Sequence, residues 1–236
     1  MAGFEYRRTV LFVTTLSSFL TPFAASSFNI ALPSIGEEFS LDAVSLSWAS
    51  LAYLLASAMF LVPFGKLADI YGRKKVFVFG IGTFTASSLL LATISSAATL
   101  IPLRALQGVG TAMIFGTGIA ILVSVYPDED KGMVLGANAA AVYVGLSIGP
   151  FIGGLLTVSL GWRSIFYVGV ALGLTIFVST TLRLAGEWTE AEGEDFDLVG
   201  SAIYSLTLLS LMYGFSLILH LRACCLSCWA QPDSQS

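Results

Sequence analysis

Two long apolar runs are joined by the short stretch Gly65-Lys-Leu-Ala-Asp-Ile-Tyr-Gly-Arg-Lys-Lys75. The flanking runs, Leu46–Phe64 and Val76–Ala97, are each about long enough to cross roughly 30 Å of bilayer hydrocarbon as a helix. Both runs are continuously apolar, whereas a strand of a membrane barrel alternates apolar and polar residues. Because two glycines in the stretch permit a tight reversal, the sequence predicts a helical hairpin that returns across the membrane.

The same pattern extends along the whole chain. Apolar runs lie at Val10–Leu32, Leu46–Phe64, Val76–Ala97, Ala98–Val125, Val134–Leu160, Ile165–Leu184 and Val199–Leu219. The 236 residues are 56% hydrophobic and 11% charged, less than half of the roughly 25% charged residues in a soluble domain. This composition excludes a soluble enzyme, a disordered regulator and a nucleic-acid binder, which needs clustered Lys and Arg. We therefore predict an all-α membrane protein embedded in the lipid bilayer.

Positive charges concentrate in alternate segments between the runs. If the N-terminus is cytoplasmic, the cytoplasmic segments hold Arg7, Arg8, Lys66, Arg73, Lys74, Lys75, Lys131 and Arg183. The opposite segments hold only Arg163 and Arg222. Since Lys and Arg are in excess on the cytoplasmic loops of membrane proteins, the sequence predicts a multi-pass protein of the cell membrane with its N-terminus in the cytoplasm.

Three motifs carry a resemblance to a known family. The stretch at 65–75 closely resembles the signature Gly-x-Leu-Ala-Asp-x-x-Gly-Arg-Lys of the major facilitator superfamily. The fourth run resembles that family at Arg104-Ala-Leu-Gln107-Gly108-Val-Gly110, and the fifth resembles its antiporters at Gly145-Leu-Ser-Ile-Gly149-Pro150-Phe-Ile-Gly153-Gly154. The turn at 161–167 and the start of the seventh run look like the fourteen-helix drug:proton antiporter branch. The resemblance implies the six-helix N-terminal half of a major facilitator fold plus a seventh transmembrane helix.

The resemblance also suggests roles for the motif residues. We expect a gating or conformational role for Gly65, Asp69, Gly72, Arg73, Gly145, Gly149, Pro150, Gly153 and Gly154. In the fifth helix, glycines four residues apart let another helix approach closely, and a proline permits a bend. In the family, the arginine that matches Arg104 is associated with proton transfer.

Arg104 is the one charged residue inside an apolar run. Such a residue is costly unless it is paired, wetted or able to snorkel to the membrane surface. Arg104 lies about five residues from the predicted outer end of its run, so snorkelling is one interpretation. Gln107 lies one turn away on the same helix face, which favours the other interpretation, an interior role.

Substrate contacts are predicted from the polar groups of an aromatic interior. Seventeen Phe and eight Tyr suit a pocket for lipophilic compounds, although most of them must face lipid or the membrane interface. The polar residues that we expect to face a central cavity are Asn29, Tyr53, Gln107 and Tyr143. Ala24 stands where the antiporter branch commonly carries an Asp, and no Asp or Glu lies inside the first six runs. Proton antiport is therefore implied by the resemblance alone.

Cofactors and metal sites are not expected in this chain. It has a single His, and the spacing Cys225-Leu-Ser-Cys228 would suit a redox pair or half a zinc site but has no second pair to complete it. Together with Cys224, these cysteines belong to an atypical tail at 220–236. We interpret that tail as incidental, and its change in character makes the chain look truncated.

The predicted organisation has four parts: a six-helix transporter half at 1–184, a solvated acidic cytoplasmic linker at 185–197, the seventh transmembrane helix at 198–219, and the tail. Members of the family alternate access by rocking two six-helix halves about a midplane site. We therefore expect a second copy or a missing C-terminal half as partner. The leading hypothesis is efflux of lipophilic drugs or other small molecules by proton antiport. The alternatives are a non-transporting fragment or regulatory partner of a full-length transporter, and a metabolite or sugar carrier.

Overall fold

The computed structural model describes the backbone at residues 2–184, 186–191 and 193–229, and side chains at 5–184, 186–191, 193–212 and 214. The described residues form seven α-helices and a short 3-10 turn at Ala97–Thr99. The helices are α1 (Ala2–Phe39), α2 (Ala43–Tyr71), α3 (Arg73–Ala92), α4 (Leu100–Val125), α5 (Asp128–Leu160), α6 (Arg163–Arg183) and α7 (Leu198–Trp229). The prediction of an all-α protein is confirmed.

Helices α1 to α6 are each long and apolar enough to cross a membrane, as the first six runs predict. In α7 the apolar stretch among the described residues, Leu198–Met212, is shorter than these six spans. The backbone of α7 stays helical to Trp229, beyond the predicted end at Leu219. A full seventh span stays a prediction, because the side chains needed to judge it lie outside the described residues. The side chains of Cys224, Cys225 and Cys228 and all of 230–236 also lie outside them.

Local chemistry explains where helix ends differ from the apolar runs. Helix α3 ends at Ala92, five residues before the run does, where Thr93 N donates to Leu90 O at 3.0 Å and closes the last turn. Helix α5 begins at Asp128, six residues before its run, because Asp128, Glu129 and Asp130 occupy its first turn. Carboxylates are favoured there by the positive end of the helix dipole.

The chain divides into two compact units between Phe196 and Asp197. The first unit is the six-helix bundle, in which α1 packs mainly on α5 while α4 packs on both α2 and α3. Helix α6 packs on α3 and α1. The core of the six-helix bundle includes the fully buried residues Val13, Phe77 and Ile121. The second unit contains α7, which is capped by Asp197 Oδ1 accepting from Gly200 N at 2.8 Å.

Consecutive helices of the first unit run in opposite directions, so the bundle has two distinct ends. At the end that carries the N-terminus, the Tyr126 hydroxyl after α4 donates to Arg7 O at 2.9 Å. At the other end, Arg163 Nη1 and Nη2 donate to the two carboxylate oxygens of Glu38 at 2.8 and 2.6 Å. Trp162 Nε1 also donates to Glu38, at 2.7 Å. This clamp ties the end of α1 to the turn between α5 and α6.

Candidate functional site

An ion-pair cluster lies at the N-terminal end of the bundle, where α2 meets α3. Arg73 is only 6% exposed, and its Nη2 lies 2.8 Å from Asp69 Oδ1 and 2.6 Å from Glu190 Oε2. Its Nη1 donates to Ser124 Oγ on α4 at 2.8 Å. The hydrogen bond from Arg73, together with its charge, lowers the pKa of Glu190. The charge of Arg73 is therefore neutralised within these four residues, which we call the Arg73 cluster.

The segment after α6 is bonded directly to the turn between α2 and α3. Trp188 O accepts from Arg73 N at 2.9 Å, and Asp69 O accepts from the backbone N–H groups of Glu190 and Ala191 at 3.1 Å each. We call residues 187–191 and 193–194 the acidic strap. Most described residues of the predicted linker are exposed, but Trp188, Ala191 and Phe196 are half-buried. These hydrogen bonds were not predicted from the sequence, and the linker stays a prediction. The acidic strap is therefore hydrogen-bonded to the motif stretch at 65–75, although it belongs to neither α2 nor α3.

Gly72 shapes this turn. Its φ of 114° lies in a region that L side chains rarely adopt, and a Cβ there would overlap the carboxylate of Glu187. That carboxylate accepts from Lys74 N at 2.7 Å, at the start of α3. Gly65, by contrast, has no atom within 4 Å of the place where a Cβ would stand. Of the two glycines predicted to gate at this turn, only Gly72 is required, and by its positive φ rather than by packing, because the flexible end of the Glu187 side chain could move aside.

Arg104 lies wholly inside the bundle, on α4. It is 1% exposed, so its side chain does not snorkel to the surface. Nη1 donates to Gln107 Oε1 at 2.5 Å, and Nε lies 3.4 Å from Ala49 O. The guanidinium carbon is 3.9 Å from the centre of the Phe28 ring and 4.3 Å from that of Tyr53. Two aromatic faces on one cation stabilise it by cation–π attraction.

The polar contacts of Arg104 continue through Gln107. Gln107 Nε2 donates to Ser88 Oγ on α3 at 2.8 Å. We call Phe28, Tyr53, Ser88, Arg104 and Gln107 the Arg104 cluster. Among the described side chains, no carboxylate lies within ion-pair distance of Arg104. The cluster therefore solvates a buried charge without neutralising it, unlike the Arg73 cluster.

A cavity of about 470 Å³ lies between α1, α2, α4 and α5. None of its described lining residues is charged; they include Tyr53, Ser57, Thr111, Phe115 and Leu146. The Tyr53 hydroxyl lies 3.1 Å from Thr21 O and 2.9 Å from Thr111 Oγ1. Since Tyr53 lines the cavity and also stacks on Arg104, its ring is the wall between the two.

The four polar residues predicted to face a cavity are found in different places. Tyr53 is the only one of the four that lines this cavity. Gln107 is 1% exposed and is bonded within the Arg104 cluster. Asn29 is at the surface, where its Oδ1 accepts from Ser50 Oγ at 2.8 Å, and Tyr143 is 69% exposed on α5. The structure thus separates one cavity residue and one buried network residue from two surface residues.

Three of the α5 glycines form the surface that touches α1. A Cβ at Gly145 would lie 2.6 Å from Phe19 O, and one at Gly153 would lie 2.8 Å from Ser27 Cα. Ser27 Oγ donates to Gly149 O at 2.9 Å, so a side chain bridges the two backbones. Small residues four positions apart allow this approach. We call Gly145, Gly149 and Gly153 the glycine seam.

The other two motif residues of α5 have different surroundings. A Cβ at Gly154 would meet only Ile30 Cγ2, at an ordinary contact distance of 3.5 Å. Pro150 lies inside the helix, where it has no N–H to donate to the preceding turn. The gating role of the seam and of Pro150 stays a prediction, and the observed close packing is what such a role requires.

Several residues of these sites escaped the sequence analysis. Ser26 and Ser27 face the glycine seam, and a pair of small polar residues inside an apolar run is a pattern that could have identified them. Phe28 and Ser88 belong to the Arg104 cluster, but one Phe among seventeen carries no distinguishing pattern. Among the described side chains, no three His, Cys, Asp or Glu residues come together in a way that could hold a metal ion.

Comparison with known proteins extends these observations. The model of the Major Facilitator Superfamily matches residues 14–224. The chain is 33% identical over 206 residues to the multidrug resistance protein Stp of Mycobacterium tuberculosis, a match that covers 86% of this chain and 38% of that protein. It is 30% identical over 196 residues to the riboflavin transporter RibZ of Clostridioides difficile, covering 83% of this chain and 43% of that protein. The chain therefore spans about two fifths of the length of these relatives.

The fold has a counterpart among solved structures. The peptide transporter POT in complex with sulfate aligns with a TM-score of 0.69 at 20% identity, over 91% of this chain and 45% of that one. At this identity the likeness concerns the fold alone. The family model, however, covers most of the chain and includes all three motifs. The chain belongs to the Major Facilitator Superfamily of membrane transporters.

Proposed function

We propose that this chain forms one wall of a path by which lipophilic small molecules leave the cell. The observation that carries the proposal is the cavity between α1, α2, α4 and α5, whose described lining bears no charge. Cavities that bind drug-sized molecules are mostly apolar, with a few placed polar groups. The name of the relative Stp, a multidrug resistance protein, is consistent with such a cargo.

The hydroxyl groups of the cavity favour an apolar cargo over a sugar. Thr21 Oγ1 donates to Ser17 O at 3.3 Å, and Ser57 Oγ donates to Leu54 O at 2.8 Å. These donors are already used inside their own helices, so few remain for the many hydroxyls of a sugar. A site built to bind such a molecule would leave its own polar groups unpaired without it. We therefore rank a carrier of sugars or other polar metabolites second, after export of lipophilic molecules.

A second six-helix bundle would complete the path. Helix α5 exposes large apolar side chains, including Tyr143, Leu146 and Phe151. Members of the family move two such bundles against each other around a central site. We propose that the second bundle belongs either to the same polypeptide or to a second copy. The Arg73 cluster and the glycine seam would then gate the movement. The Arg73 cluster holds the N-terminal end of the bundle together, and the glycine seam keeps α1 and α5 close enough to slide along each other.

Proton antiport is the proposed source of energy. The described helices carry their carboxylates only at their ends, so the group that binds the proton would be Asp69 at the membrane edge or an acid on the second bundle. In this scheme Arg104 is a fixed cation, and its field favours release of a proton from an acid that faces it. We also propose that the N-terminal end lies in the cytoplasm of a cell-membrane protein, in agreement with its eight positive charges.

The proposal is tested by ethidium efflux from an efflux-deficient bacterial strain that expresses the full reading frame encoding this chain. We expect lower accumulation of dye than with an empty vector, and loss of that difference when a protonophore collapses the proton gradient. Leu54→Trp should block efflux, because Leu54 is half-exposed and lines the cavity. Leu174→Trp is the matched control, since Leu174 is an equally exposed leucine of α6 that lies outside the cavity lining and away from the exposed face of α5.

Three results would decide against this function. Equal dye accumulation with and without the protein would contradict export of lipophilic cations. Uptake of labelled glucose or riboflavin, without efflux, would favour a metabolite carrier. A protein that moves none of these compounds, but alters efflux by a co-expressed transporter, would be a regulatory partner.

A further inference from the structure

We propose that the outer surface formed by α1, α5 and α6 binds one anionic phospholipid. The headgroup of this lipid would bind in a pocket of about 230 Å³, which lies between α1 and α6 at the N-terminal end of the bundle and which we call the headgroup pocket. Its described lining consists of Arg8, Thr9 and Phe12 from α1 and of Ser179 and Arg183 from α6. Two guanidinium groups and two hydroxyls thus meet in one pocket, and none of these lining residues is acidic.

Arg183 of this pocket differs from four other basic residues of the bundle. Lys66, Arg73, Lys131 and Arg163 each have a carboxylate partner within 2.8 Å. Among the described residues, no carboxylate lies within ion-pair distance of Arg183. Arginine binds phosphate oxygens through paired N–H groups. Arg183 therefore gives the pocket a positive charge and paired N–H donors for a phosphate group, whereas the Thr9 hydroxyl already donates to Glu5 O at 3.0 Å.

An apolar groove begins at the same place. It measures about 630 Å³, lies between α1 and α5, and shares Arg8 and Phe12 with the headgroup pocket. Leu16 and Phe19 of α1 line one side, and Ala140 and Val144 of α5 line the other. From residue 8 to residue 19, α1 rises about 16 Å, close to half of the roughly 30 Å hydrocarbon core. The groove thus matches the depth of one leaflet.

The combination of pocket and groove identifies a lipid rather than a free phosphate. Basic pockets between transmembrane helices bind the headgroups of anionic lipids. A soluble phosphate would use the pocket and leave the groove empty, whereas a phospholipid places its phosphate between the arginines and one acyl chain along α1. An anionic headgroup is favoured over a zwitterionic one because the described lining of the pocket offers no carboxylate to an ammonium group.

The test is native mass spectrometry of the full chain in detergent, titrated with phosphatidylglycerol and, separately, with phosphatidylcholine of the same acyl chains. We expect one phosphatidylglycerol to bind with clear preference over phosphatidylcholine. The double variant Arg8→Gln/Arg183→Gln should weaken phosphatidylglycerol binding about 30-fold and remove the preference. Arg7→Gln is the matched control, because Arg7 is the neighbouring arginine of α1 but does not line the pocket.

A second variant tests the groove independently of the charge. Ala140→Phe should fill it and weaken binding of both lipids, while leaving a preference for phosphatidylglycerol. Glycerol phosphate, which has the headgroup but no acyl chain, should not displace the bound lipid at equal concentration. The proposal is wrong if the double variant keeps the preference, if Arg7→Gln abolishes it equally, or if glycerol phosphate displaces the lipid. Folding of each variant is checked by its melting temperature in the same detergent.

Discussion

Two arginines of the six-helix bundle are almost equally buried but have opposite surroundings. Arg73 is 6% exposed and lies within 2.8 Å of two carboxylates, those of Asp69 and Glu190. Arg104 is 1% exposed and contacts an amide oxygen, a backbone carbonyl and two aromatic rings. One positive charge is neutralised where it stands. The other is only solvated.

We propose that this difference separates a structural charge, that of Arg73, from a functional one, that of Arg104. A charge in the membrane interior is costly, and residues that carry one are usually tied to transport or to ion movement. The Arg73 cluster joins α2, α3, α4 and the acidic strap, so its charge contributes to the fold. The Arg104 cluster leaves a positive field beside the cavity, behind the ring of Tyr53. We therefore expect Arg104 to affect transport far more than stability, and Arg73 to affect both.

The largest effect is expected from removal of the charge of Arg104. Arg104→Ala should lower ethidium efflux about 10- to 100-fold. A hydrogen bond to a buried charge contributes roughly 1.5–3 kcal/mol, and we expect its loss to raise the free-energy barrier to transport by that amount. Arg104→Lys keeps the charge but loses the planar contact with two rings, and should lose less. Equal efflux by Arg104→Ala and the parent chain would contradict a role of Arg104 in transport.

A smaller effect is expected from Arg73→Met. It should lower the free energy of unfolding by about 1–2 kcal/mol, less than for a fully buried pair, because Asp69 and Glu190 are partly exposed and can regain water. Arg73→Lys should recover part of the loss, since it restores the charge without the fork of two donors. Thermal unfolding in detergent measures both variants. No loss in Arg73→Met would mean that the strap is not held by this cluster.

The smallest effect is expected from Glu190→Gln, and it should depend on pH. The pKa of Glu190 is lowered by the hydrogen bond from Arg73, so its stabilising contribution is complete above the ordinary glutamate pKa of about 4.3 and is lost as the pH falls through the lowered value. At pH 7 the variant should be less stable by at most about 1 kcal/mol, as is usual for an exposed ion pair.

Melting temperatures of the parent chain and of Glu190→Gln at pH 7, 5 and 3.5 check this expectation. The difference between the two curves should be largest at pH 7 and should shrink as the pH falls. Glu194→Gln is a control on the same strap, because Glu194 pairs with Lys66 rather than with Arg73. A difference that grows towards low pH would contradict the ion pair between Arg73 and Glu190.

The spans and motifs could be predicted from the sequence, because each is a local pattern. Six apolar runs became six helices, and the glycines of α5 pack against α1 at the spacing that a close helix contact requires. Arg104 was also conspicuous as the one charge inside an apolar run. In these cases the residues that meet the physical requirement are close together in the sequence, so their pattern can be read without the structure.

The partners of those residues could not be predicted, because they come from distant parts of the chain. The linker contains several acidic residues, and nothing in their order indicates that Glu190 reaches Arg73 while Glu194 reaches Lys66. Phe28 reaches Arg104 only through the packing of α1 beside α4. Asn29 and Tyr143 lie at the surface of the bundle rather than beside Tyr53, because residue polarity alone does not say which face of a helix looks inward; their place at a central cavity stays a prediction.

The most direct test of the functional role of Arg104 is the melting temperature of Arg104→Met in detergent. Because a buried charge with no ionic partner costs more in desolvation than its contacts return, an apolar side chain of similar length should leave the melting temperature unchanged or raise it. In the same protein, ethidium efflux should be about 10- to 100-fold lower, as for Arg104→Ala. A melting temperature lower by about 4 °C or more, with efflux retained, would mean that Arg104 supports the fold and not transport.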